Sequence, residues 1–204
     1  MSIAPAPTAP PEPSKAATPQ LPPRVLNPVA ALLSYLVPGL GQISQGRVSK
    51  GVLFFVCIYV LFFYGTVLGS GTTKVGTTEY RISSSVYLPD TSKTSNALGL
   101  PPVLADLYNR PQFIAQFWAG IASWPAVWQY INFNDTENGS PPLGGYQRAP
   151  SAEANNLVNT NVGRMLDLGW VLTVIAGVLN ILVIYDALAG PAFLTPINPA
   201  LKAS

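Results

Sequence analysis

Residues 51–69 read GVLFFVCIYVLFFYGTVLG, 19 positions without a charge, of which twelve are Leu, Ile, Phe or Val. At about −0.3 to −0.6 kcal/mol each, these twelve favour insertion into a bilayer by roughly 4–7 kcal/mol before polar costs. A helix rises 1.5 Å per residue, so the stretch has the length of a hydrocarbon core. A second run, 168–185, reads LGWVLTVIAGVLNILVIY, with Asp167 and Asp186 as its flanking charges and Asn180 as its one amide. Eleven strong inserters outweigh that amide, and Gly190 and Pro191 stop the helix. Two transmembrane helices are expected, at about 51–69 and 168–186.

Two further apolar stretches lie around them. Residues 25–46 carry no charge between Arg24 and Arg47. Asn27 suits an N-cap and Pro28 a first helical turn, whereas Pro38, Gly39 and Gly41 break the pattern. The sequence predicts a helix near 28–43, kinked or turned at PGLGQ. Residues 113–133 (FIAQFWAGIASWPAVWQYINF) are interrupted by Gln116, Pro125 and Gln129, and their Trp and Tyr residues favour the membrane interface. A helix at about 113–131 is expected. For both stretches, re-entrant, interfacial and spanning placements stay open. The fold class is therefore all-α integral membrane. Residues 1–24 form a Pro/Ala-rich tail that cannot build a core, 25–190 form the membrane domain, and 191–204 form a short tail. Residues 70–111 and 134–163 read as polar connections. A hairpin or surface segment fits 79–88, and a turn or two of helix fits 104–109.

Composition agrees with lipid exposure. Of the 204 residues, 49% are hydrophobic and 10% charged, against roughly 25% charged in ordinary globular chains. Mean hydropathy is +0.31. The net charge of +2 comes from scattered basic residues, so no nucleic-acid footprint is present. The chain has no histidine, and its one cysteine, Cys57, lies inside an apolar run. The commonest metal ligand, the commonest general base and an intramolecular disulfide are thereby removed. No cofactor, no metal and no catalytic residue is expected.

The densest motif is Pro38, Gly39, Gly41, Gln42, Gly46, Arg47 and Lys50. Pro38 ends a helix, the glycines permit positive φ or close contact, and Arg47 and Lys50 suit the head-group level. Both a structural hairpin turn and a lipid or ligand site fit this pattern. Gly169, Thr173 and Gly177, at four-residue spacing, form a small-residue face, and Gly65 and Gly69 form a similar one. The two long helices are expected to pack through these faces, with Thr173 and Asn180 bonding across helices. Asp186 is expected to meet Arg47 or Lys50 if they share one end.

The run LVPGLGQISQGRVSKGVLFF resembles the hairpin element of small two-transmembrane-helix proteins. The segment GWVLTVIAGVLNILVIYDALAGP resembles the closing helix of uncharacterised bacterial multi-helix membrane proteins, through Ala176, Gly177, Asn180, Val183, Asp186 and Ala187. The likeness covers about a third of the chain. It implies a multi-helix protein of the bacterial inner (cytoplasmic) membrane and no particular activity. The expected partners are the lipid bilayer and either a second copy, as a homo-oligomer, or another membrane protein. The sequence points to a non-enzymatic accessory or scaffold component of a membrane complex, with a transporter or channel subunit as the alternative.

Overall fold

A computed structural model describes residues 26–82, 85–89, 99, 101–132, 142–162 and 164–190. The tails at 1–24 and 191–204 lie outside the described residues. Two long helices, α3 (Val48–Leu68) and α8 (Met165–Ala189), form the frame. They run antiparallel: Lys50 meets Asp186 at what we term the proximal end, and Gly65 and Gly69 meet Gly169 at the distal end. Both helices are long and apolar enough to cross a membrane, and only 28% and 33% of their most apolar stretches are buried.

The stretch expected as a helix near 28–43 with a kink or turn at PGLGQ, called segment one below, forms a hairpin of two helices. α1 (Pro28–Leu36) begins with Asn27 Oδ1 accepting from the Ala30 amide at 3.0 Å, and the Asn27 amide donates to Leu188 O at 2.9 Å. Pro38 cannot supply the amide that the Ser34 carbonyl would need to continue the helix. The chain turns, and α2 (Leu40–Ser44) brings Gln42 to Val183 and Gln45 to Ala187. Both legs thus open at the proximal end.

The second interrupted stretch, 113–131, called segment three below, likewise folds back on itself. α5 (Gln112–Phe117) is followed by a 3₁₀ turn (Gly120–Ser123) and α6 (Trp124–Asn132). Its first leg begins at Arg110, which donates to Ser85 O beside Gly69 at the distal end. Its second leg carries Tyr130, whose hydroxyl donates to Asp106 Oδ2 at 2.7 Å in α4 (Pro102–Asn109). The helix expected at about 113–131, already interrupted in sequence by Gln116, Pro125 and Gln129, is divided into these pieces where Gly120 turns the chain at φ +79°.

The polar connections hold more order than their composition suggested. β1 (Gly71–Val75) pairs antiparallel with β2 (Thr78–Ile82), with Gly71 opposite Ile82 and Val75 opposite Thr78. This hairpin departs from an all-α fold and lies slightly before the 79–88 stretch. α7 (Ala152–Val162) packs on it and starts where Ser151 Oγ accepts from the Ala154 amide at 3.2 Å, a side-chain N-cap. Residues 85–89 bury Val86 and Leu88 in the core with Phe62, Phe113 and Ala176.

Candidate functional site

α8 is the axis on which α1, α3 and α5 pack. Gly169 and Thr173 face α3 at Gly65, where a side-chain carbon would meet Gly169 O at 2.8 Å and Thr173 Cγ2 at 2.9 Å. Gly177 faces a different partner. An added carbon there would collide with the Ala115 carbonyl of α5. The stripe of three small residues is thus shared between two neighbours, and the expected α3–α8 packing uses its first two members.

Asn180, fully buried, joins three segments. Its Nδ2 donates to Ser34 O at 3.2 Å and to Trp118 O at 2.8 Å. The first bond supplies the donor that Pro38 lacks, and the second satisfies a carbonyl at the end of α5. The hairpin tips also touch directly: a side chain at Gly120 would run into the carbonyls of Tyr35 and Leu36. This junction lies three residues, about 4–5 Å, from the midpoint of α8 at Gly177. Nearby, Gln116 Nε2 donates to Thr173 Oγ1 at 2.8 Å, and Thr173 Oγ1 donates to Trp170 O at 2.8 Å.

The second cluster stands at the proximal end. Buried Gln42 is clamped from both sides. Its Oε1 accepts from Ser34 Oγ at 3.0 Å, and its Nε2 donates to Val183 O at 2.8 Å and to Asp186 Oδ2 at 3.2 Å. Ser34 Oγ in turn accepts from the Gly41 amide at 3.1 Å. Arg47 Nη2 lies 2.6 Å from Asp186 Oδ2 and Lys50 Nζ lies 2.7 Å from Asp186 Oδ1. Asp186 thus meets both basic residues, one on each carboxylate oxygen. Arg47 Nη1 donates to Gln45 Oε1 at 3.3 Å, and Gln45 Nε2 donates to Ala187 O at 2.6 Å. That carbonyl has no helical donor, since residue 191 is proline. An acid in the last turn opposes the helix dipole, and two adjacent cations offset it. The glycines shape the turn: Gly39, at φ +84°, lies against the Gly51 backbone, whereas Gly46, at φ +79°, has open space around it.

Three members of the constellation went unread in the sequence: Ser34, Gln45 and Gln147. Gln147 is fully buried, accepts from the Ala126 amide at 3.0 Å and donates to Ala122 O at 2.7 Å, so it pins the turn of segment three. Ser34 carried a readable signal, a hydroxyl within an uncharged apolar run. Gln147, in a polar loop, carried none.

No curated protein and no solved structure matches the chain. The model of DUF6677, a family of unknown function, matches residues 29–199, and the chain belongs to that family.

Proposed function

We propose that the chain is an integral membrane protein of the bacterial cytoplasmic membrane. In this reading α3 and α8 cross the bilayer, and the two hairpins re-enter it from opposite faces. The observation that carries it is the distribution of polarity. Ser34, Gln42, Gln116, Thr173 and Asn180 are buried, while Leu53, Val60, Tyr64, Val67, Leu182 and Tyr185 are exposed by half or more. Water disfavours that arrangement and lipid favours it. The non-helical tips are tolerable at depth because protein covers them. Alkaline extraction of native membranes tests the placement: the chain stays in the pellet, and release into the supernatant would overturn it.

Within the membrane the chain acts as a non-enzymatic accessory or scaffold component, as a homo-oligomer or with another membrane protein. Support comes from the way the polar side chains are used. Lys50 is held by Asp186, and Asn180, Gln42 and Gln45 satisfy backbone carbonyls, so these groups secure the fold. The test is purification of a tagged chain in mild detergent, with cross-linking and mass spectrometry. A stoichiometric partner or a defined homo-oligomer is expected, and a monomer without partners would overturn the proposal.

One observation favours a second reading as a transporter or channel subunit. Two interrupted segments meet from opposite ends beside an amide near the middle of α8, and broken helices at mid-depth mark substrate sites in transporters. Flux into liposomes that is lost in Asn180→Leu would support this reading. Equal leak with and without the protein would remove it.

A further inference from the structure

Between α4, α5 and α6 lies a groove of ≈ 410 Å³, lined by Leu107, Phe113, Ile114, Trp118 and Tyr130 among others. That volume is within the roughly 300–1,000 Å³ usual for small-molecule sites. Its lining is almost wholly apolar, and Ile114 is half exposed at its wall. The lining includes Trp118, whose carbonyl Asn180 holds near the middle of α8. Near the joint between α4 and α5 the wall is formed by Leu107 and Phe113, and Arg110, which is not itself a lining residue, lies between these two in sequence.

Arg110 is an incompletely compensated cation. Its Nη2 donates to Ser85 O, and its guanidinium stacks 3.5 Å from the Tyr87 ring centre. Its Nε is buried and makes no hydrogen bond. Both ion pairs among the described residues are at Asp186, at the other end of the molecule. Burial accordingly pulls the guanidinium below its ordinary range, with Tyr87 acting in the opposite sense. A buried charge without a counter-ion is costly, and a guanidinium matches phosphate oxygens in geometry as well as charge.

We propose that this groove holds one acyl chain of an anionic glycerophospholipid whose phosphate pairs with Arg110. The proposal rests on the membrane reading above, in which Arg110, beside Ser85 and the distal end of α3, stands at head-group level. From there the lining follows α5 from Phe113 to Trp118, along the direction an acyl chain takes. The anionic headgroup supplies the missing counter-charge, and the fatty chain covers the apolar wall.

The test is native mass spectrometry of the full chain released from nanodiscs of phosphatidylcholine mixed with phosphatidylglycerol. The wild-type chain retains phosphatidylglycerol in preference to phosphatidylcholine. Arg110→Gln weakens that retention about tenfold, the scale of one lost charge-assisted contact. Ile114→Trp, which fills the groove and leaves Arg110 in place, loses the lipid too, and Lys74→Gln, on the β-hairpin, retains it. Equal retention of the two lipids, or unchanged retention in both groove variants, overturns the site. Alkaline extraction of the same material separates the two claims. A chain that resists extraction but holds no phosphatidylglycerol refutes the lipid site alone, and a chain that alkali releases refutes the membrane placement as well.

Discussion

Asp186 ties the end of α8 to α2 and to the start of α3. Arg47 and Lys50 each take one of its oxygens, and Gln42 adds an amide. Removing the acid leaves two cations facing each other at the end of α8. Because the carboxylate is about a quarter exposed, the pair energies are screened, and Asp186→Ala should cost about 1–3 kcal/mol. Arg47→Ala should cost less, since Lys50 then still holds the acid. Chemical unfolding in detergent compares the two, and an Asp186→Ala variant as stable as wild type would contradict the cluster's role. This pairing was legible in the sequence. Arg47 and Lys50 border one apolar run and Asp186 borders the other, so antiparallel helices bring them to one end. Less legible were the roles of Gln42 and Gln45, whose partners include the backbone carbonyls of Val183 and Ala187. A carbonyl that lacks a donor cannot be recognised until the chain's path is known.

At the scale of elements, tight turns and close helix contacts decide the architecture. Gly39 and Gly46 share a left-handed backbone but differ in surroundings. Gly46→Ala should cost about 1–2 kcal/mol, the left-handed penalty alone. Gly39→Ala adds a collision with the Gly51 backbone and should cost clearly more. Equal melting shifts for the two variants would show that the hairpin does not pack on α3 as described. Gly177→Leu should push α5 away from α8, because the opposing atoms are the Ala115 backbone. A cysteine pair across α3 and α8 at the proximal end should still cross-link in that variant. The shared use of the Gly169–Thr173–Gly177 face explains why sequence spacing was only partly sufficient. Spacing of four places residues on one stripe, but which helix covers each end depends on where the other segments turn. The return of segment three hinges on Gly120, which in sequence is one more glycine among small and aromatic residues. α7 was equally hidden, because Asn-rich AEANNLVNTNV reads as loop until Ser151 is seen capping its first turn.

For the whole molecule, the proposed membrane placement has α3 and α8 as spans and the two hairpins entering from opposite faces, with Asn180 bonded to both hairpins. The two long helices were plain in sequence, since uncharged runs of bilayer length have few alternatives. The direction of the shorter segments was not, because a stretch broken by proline or glycine can cross, turn back or lie flat with the same composition. Side-specific labelling of single cysteines, in a Cys57→Ser background, tests this most directly. Leu26, Ser49, Asn109 and Ser151 are exposed positions flanking the two hairpins, and each would be replaced by cysteine and probed with a membrane-impermeant thiol reagent. The account predicts that positions 26 and 49 label from one side of the membrane and positions 109 and 151 from the other. Labelling of 26 and 49 from opposite sides, or of 109 and 151 from opposite sides, would mean that the intervening segment crosses the bilayer and would contradict the account.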